Sequence, residues 1–499
     1  MADQPVPTAG SRGPAALDTI SQKTARGALV LGGRQALVHA LNLAGGILLA
    51  RWLTPAEFGI YAILMFVLNF LGSVGDVGLG ASLIREPEEP TVADYRAIFT
   101  AQQILVFTVV VAFWTATPWI VEAYGRPARE VWLFRLLALS LVFTSLQTIA
   151  AIQLERQLEF RKLALVEVAQ ALTFNALAVG LAWAGAGAQS IAIALPARAA
   201  VGAALVHLVR PWPIGLRWDW ARIRDRLRYG LPYQGIGFVS LVKDSITPVF
   251  VGILLGTTEV GYINWATMVA AYPVLALMAL QRLYLPAFSR LQSHPAELGR
   301  LVERVIRATN SVVAPVAVLM LALIDPVTRI IFGEQWLPAL PCFYFLWAAN
   351  VFVPTATPLL ALMNALGDSR LAFRFALVWF AGTWLLGVPL ILAFGAVGFA
   401  IANFAVQWTN LALYRAARAR VPFRILAPAR AAWTSAAAAG LGIALLARRL
   451  PITGPLALAV CGLGGLTLYA AGLFALDREG TRRAIVWIRS SVWTLESRS

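Results

Sequence analysis

Fourteen runs of mostly apolar residues, parted by short charged or Pro/Gly-bearing gaps, constrain this chain more than any other feature. They are residues 27–50, 58–84, 97–121, 131–153, 163–185, 189–209, 229–256, 260–284, 305–325, 339–363, 372–394, 396–414, 429–447 and 454–476. A hydrocarbon core of about 30 Å is crossed by roughly 20 such residues in a helix, so each run predicts one transmembrane span. A soluble fold is excluded on surface grounds. With 59% apolar and 13% charged residues over 499 positions, too few polar side chains remain to coat the several domains that length implies. The predicted class is an all-α polytopic membrane protein of about 14 helices.

Residues 1–26 are polar, carry Pro5, Pro7 and Pro14, and lack an apolar stretch followed by a small-residue cleavage site. They read as a cytoplasmic tail rather than a cleaved leader. With the N-terminus inside, 31 of the 41 Lys and Arg fall on cytoplasmic segments or at the cytoplasmic ends of spans, six fall outside, and Arg34, Arg135, Arg198 and Lys243 fall deeper within helices. The net charge of +16 is thereby explained by orientation against an anionic inner leaflet, and nucleic acid is not needed as a partner. The C-terminus is cytoplasmic on the same count.

Ile47 to Ala62, ILLARWLTPAEFGIYA, and Ile253 to Ala266, ILLGTTEVGYINWA, share ILL, a short turn with Thr and Glu, and a Gly and Tyr opening the next helix. In the first copy Thr54, Pro55 and Glu57 predict a capping box. Six helices separate the copies, which gives two lobes of equal orientation related by an axis along the membrane normal. Convergence of two tight helical hairpins is the other explanation. The expected division is a tail at 1–26, an N-lobe at 27–209, a basic linker at 210–228 and a C-lobe at 229–414. A basic loop with helices 13 and 14 follows at 415–476, then a cytoplasmic tail at 477–499.

Five stretches resemble the Wzx-type oligosaccharide-lipid flippases of the multidrug/oligosaccharidyl-lipid/polysaccharide exporter superfamily. They are LARWLTPAEFG at Leu49 to Gly59, GDVGLGASLI at Gly75 to Ile84, ERQLEFRKLALVE at Glu155 to Glu167, YLPAFSRLQ at Tyr284 to Gln292 and FGEQW at Phe332 to Trp336. The resemblance implies two lobes around a polar cavity in a bacterial inner membrane. It implies alternating access that moves a polyprenyl-diphosphate-linked oligosaccharide between leaflets for exopolysaccharide or lipopolysaccharide synthesis, beside other polysaccharide-assembly membrane proteins.

Ionisable side chains inside the spans are costly and therefore the first places to look for function. Arg34, Gln35, His39, Asn42, Gly45 and Gly46 form one polar stripe on the first helix, suited to a cavity wall or to a close helix interface. Arg198 falls near the middle of the sixth helix, two residues after Pro196. On the seventh, Tyr233, Ser240, Lys243, Asp244 and Thr247 share about 100° of arc. Lys243 is one of only three lysines in the chain. Neighbouring residues on a helix do not face each other, so Lys243 and Asp244 are each expected to find a partner elsewhere.

With the resemblance, Arg34, Arg198 and Lys243 become the expected cationic surface for the diphosphate, with Asp244 balancing one cation in the empty site. Gln35, His39, Asn42, Tyr233 and Ser240 are the polar lining. Asp244, Asp76 and Glu167 are the candidates for coupling to H+ or Na+. A fixed set of interhelical ion pairs is the competing reading.

Chemistry is otherwise sparse. No Gly-Lys pair exists for a nucleotide-binding loop, the three histidines lack metal-ligand spacing, and Cys342 and Cys461 each lie in an apolar run. No cofactor, metal or enzymatic activity is expected. An ion-coupled small-molecule or multidrug exporter of the same fold is the alternative function; its cavity would be acidic for cationic substrates.

Overall fold

The computed structural model describes residues 34–35, 37–76, 82–83, 88–275, 277–449 and 452–478, with only the backbone at 76, 229–239, 279 and 282. The tail at 1–26 and nearly all of that at 477–499 lie outside them. Every described regular element is a helix: α1 (Leu37–Trp52), α2 (Pro55–Asp76), α3 (Val92–Ala123), α4 (Val131–Arg156), α5 (Phe160–Trp183), α6 (Gln189–Val209), α7 (Trp220–Asp244), α8 (Thr257–Leu275), α9 (Met278–Ser289), α10 (Pro295–Val327), α11 (Leu340–Asn350), α12 (Val353–Ala365), α13 (Ser369–Phe394), α14 (Ala396–Gln407), α15 (Asn410–Arg418), α16 (Leu426–Arg449) and α17 (Pro455–Leu476). Where its residues are described, each of the fourteen apolar runs overlaps one of these or a broken series of them. Among the described residues ten helices are long and apolar enough to cross a membrane, or eleven if the pair α11 and α12, bent by 41°, is one span.

Local chemistry sets the boundaries. The predicted capping box forms: Thr54 N–H donates to Glu57 Oε2 at 2.8 Å and Glu57 N–H donates to Thr54 Oγ1 at 3.3 Å. Thr91 and Asp94 repeat it at the start of α3. Between α5 and α6 the chain reverses in a turn where Gly185 and Gly187 take φ of 84° and 56°, a region closed to most side chains. The seventh run is not a continuous α-helix. Past Asp244 it passes through a π-helical stretch, Ile246–Val251, before the one-turn Gly252–Leu255. Pro248, which lacks an N–H, lies within that stretch. α10 outruns its apolar run at the N-terminal end, because an amphipathic turn carrying Arg300 and Arg304 precedes the hydrophobic part.

The described residues form two compact units. The first holds residues up to Trp52 and Leu64–Leu241, and its core packs α4 against α6, α5 against α6 and α3 against α4. The second holds Leu53–Ile63 and the chain from Val242 onward, with α10 against α16 and α13 against α14. Within this second unit the two repeat copies cross. A Cβ on Gly59 would overlap the carbonyl oxygen of Thr257, and a Cβ on Gly261 would overlap that of Pro55, a reciprocal contact between equivalent positions. Aromatic rings surround the crossing. Trp336 lies 5.2 Å from Phe58 and stacks on Trp265 at 5.5 Å, and Phe332 meets Trp265 edge-on at 5.3 Å. Gln335 Nε2 donates to the Leu53 carbonyl at 3.1 Å. FGEQW and LTPAEFG are thus parts of one packing knot.

Candidate functional site

In the first unit the charges gather where α4 ends and α5 begins. Arg34 Nη1 donates to Glu167 Oε1 at 2.9 Å; the Arg34 side chain is 14% exposed and Glu167 39%. Arg34 Nε is buried and makes no hydrogen bond among the described residues. Arg198 lies with its guanidinium 6.0 Å from the Phe174 ring centroid and acts electrostatically on Glu167. Glu155, at the end of α4, feels both Glu167 and Arg34. Two cations and two carboxylates therefore share one neighbourhood. The α4–α5 turn, where Leu158 takes φ of 56°, folds the stretch Glu155 to Glu167 back on itself, with Glu167 paired to Arg34 and Glu155 within electrostatic range of both.

Sequence reasoning missed Glu155 as a site residue, and this hairpin geometry was the signal that could have found it. Glu167, a coupling candidate in the sequence, is the ion-pair partner of Arg34.

Amides extend the polar interior. Asn175 Nδ2 donates to Asn42 Oδ1 at 3.1 Å, Gln170 Nε2 to Gln147 Oε1 at 2.6 Å, and Gln147 Nε2 to the Ala199 carbonyl at 2.9 Å. Gly45 lies under Asn175 and Gly202 under Gln170, where any side chain would collide. Gln35 and His39 stand side by side, their Nε2 atoms 3.4 Å apart, and His39 is exposed.

The second unit carries Lys243 and Asp244, and here the expectation is corrected. The two are paired with each other, Lys243 Nζ to Asp244 Oδ1. The rule against neighbours assumes a regular helix. α7 ends at Asp244 and turns at Ser245, where a lysine's four-carbon stem can fold back. Both are accessible, at 37% and 61%, and Ser240 is exposed one turn earlier. The side chains of Tyr233 and Asp76 lie outside the described residues. The structure brings Arg34, Arg198 and Glu167 together in one unit and Lys243 with Asp244 in the other.

Apolar helices in this number, with guanidinium and carboxylate groups held inside a helix bundle, define a multi-pass membrane protein of the transporter type. The chain belongs to the polysaccharide biosynthesis protein family, whose sequence model matches residues 48–341. It is similar to the succinoglycan biosynthesis transport protein ExoT of Rhizobium meliloti (strain 1021), at 22% identity over 66% of this chain and 67% of that one. It is also similar to the lipopolysaccharide biosynthesis protein WzxC of Escherichia coli (strain K12), at 20% identity over 79% of this chain and 80% of that one. Its fold is that of the lipid II flippase MurJ in an inward closed conformation, with a TM-score of 0.73 and 14% identity over 90% of this chain and 99% of that chain.

Proposed function

We propose that this protein is a flippase that carries a polyprenyl-diphosphate-linked oligosaccharide from the inner to the outer leaflet of the bacterial cytoplasmic membrane by alternating access, with both termini cytoplasmic. The observation that supports it best is the balanced cluster of Arg34 and Arg198 with Glu167 and Glu155 in a chain of a polysaccharide biosynthesis family. A diphosphate offers the guanidiniums charge-assisted, bidentate contacts of the same kind as a carboxylate does, so substrate competes with Glu167 for Arg34. Protonation of Glu167 weakens its hold on the arginine, so proton binding and substrate binding at this cluster are linked. Lys243 and Asp244 form a second, accessible pair of the same kind, and Gln35, His39, Asn42, Tyr233 and Ser240 supply hydrogen bonds to sugar hydroxyls. Asp76 and Asp244 are the further coupling candidates, Na+ being the other ion.

Outward movement of the diphosphate down an inside-negative potential yields about 2.3 kcal/mol per charge per 100 mV. The chain itself performs no bond chemistry in this reading. The expected lobes are 27–209 and 229–414.

Deleting the gene is expected to leave lipid-diphosphate oligosaccharide on the cytoplasmic face, measured by lipid extraction. Unchanged lipids with altered drug sensitivity would instead support a small-molecule exporter. Arg198→Gln and Lys243→Gln are expected to abolish flipping in reconstituted vesicles while the protein still folds. Unimpaired flipping in both rejects the cationic site.

A further inference from the structure

At the opposite end of the α4 helix from Glu155 lies a groove with a different character. It has a volume of about 700 Å³ and is open on one side. Trp114 of α3 and Trp132 of α4 flank it, Leu136 and Leu139 form its floor, and Arg129 and Arg135 enter it. The two arginines are held in place by separate devices. Arg129 stands on the 3-10 turn Ala128–Glu130. Arg135 lies one turn into α4, where its Nη2 donates to the Trp114 carbonyl at 3.3 Å while the Trp114 indole N–H donates to the Arg135 carbonyl at 2.9 Å.

The charge is uncompensated. The carboxylate nearest in sequence, Glu130, is taken by Arg126, whose Nε and Nη2 reach its two oxygens at 2.8 and 2.6 Å. Among the described residues neither Arg129 nor Arg135 pairs with a carboxylate. Two guanidiniums over a hydrocarbon floor, in a groove bordered by two indoles, are a mismatch that an amphiphilic anion resolves. Both arginines line this one groove, and the tryptophans beside them suit the interfacial level of a bilayer.

We propose that this groove binds an anionic glycerophospholipid, its phosphate between Arg129 and Arg135 and one acyl chain along Leu136 and Leu139. The site is independent of the transport cluster: it uses none of its residues.

The test uses the full-length protein in detergent, titrated with phosphatidylglycerol or phosphatidylcholine and followed by native mass spectrometry, with the thermal unfolding midpoint measured alongside. Wild type is expected to retain phosphatidylglycerol in preference to phosphatidylcholine and to unfold at a higher temperature with it. Arg129→Gln/Arg135→Gln is expected to lose retention by about tenfold, the scale of one charge-assisted contact, and Arg129→Lys/Arg135→Lys to keep most of it. Equal retention of the two lipids by wild type overturns the proposal without any variant. So does undiminished phosphatidylglycerol on the Gln pair, or equal thermal protection by inorganic phosphate, which would mark a soluble-anion site. Lipid-free dimers in which this groove is covered would overturn it as well.

Discussion

At the residue scale the Arg34–Glu167 pair decides between a binding site and a fixed strut, because the two differ in what survives removal of both partners. Glu167→Gln leaves Arg34 largely enclosed without its counter-charge. Stripping one partner from a fully buried pair costs about 3–5 kcal/mol, and the exposure of Glu167 brings the expected loss nearer 1–2 kcal/mol. Arg34→Gln/Glu167→Gln removes both charges and is expected to recover most of that stability in thermal unfolding. If Arg34 binds cargo, the double variant still fails to flip lipid-linked sugar; if the pair is only a strut, flipping returns with stability. The sequence offered Arg34 and Glu167 as separate candidates because 133 positions lie between them. Spacing along one helix says nothing about a partner on another. Lys243 and Asp244 failed in the reverse direction: adjacency was visible, and the helix end that lets them meet was not.

Elements were more legible where their determinants are local. The Thr54–Glu57 box follows from residues three apart, and the Gly185/Gly187 turn from two glycines between apolar runs. The break after Asp244 and the bend between α11 and α12 were missed, since an apolar window averages over a register change as readily as over a straight helix. The crossing of the repeat copies gives this scale its own prediction. At Gly59 the obstacle to a side chain is the Thr257 backbone carbonyl, which cannot swing aside as a side chain does. Gly59→Ala and Gly261→Ala are each expected to lower stability by about 1–3 kcal/mol. Gly462→Ala, with nothing near its added methyl, is expected to be neutral or to gain up to about 1 kcal/mol from helix propensity. Unfolding midpoints in detergent compare the three directly. Equal behaviour would mean that the two helices separate freely at the crossing.

For the whole molecule, hydropathy gave the order of spans because bilayer thickness acts on every helix alike, whereas the division into units depends on contacts that no single run encodes. Leu53–Ile63 shows this: in the chain it opens the second span, yet in space it belongs with the residues from Val242 onward. Orientation is a further whole-molecule property, carried by arginines on many gaps at once. The bias is large enough that no single substitution should reverse it. In a Cys342→Ala/Cys461→Ala background, Ala186→Cys lies between α5 and α6, on a gap without Lys or Arg, and Ser293→Cys lies between α9 and α10, flanked by Arg290 and Arg300. A membrane-impermeant maleimide is expected to label Ala186→Cys in intact cells and Ser293→Cys only after the inner membrane is opened. The opposite pattern would invert the topology and place the Glu155 end of α4 on the outside. Cargo would then meet the Arg34 cluster on leaving rather than on entering, and the direction of transport proposed for that cluster would fall with it.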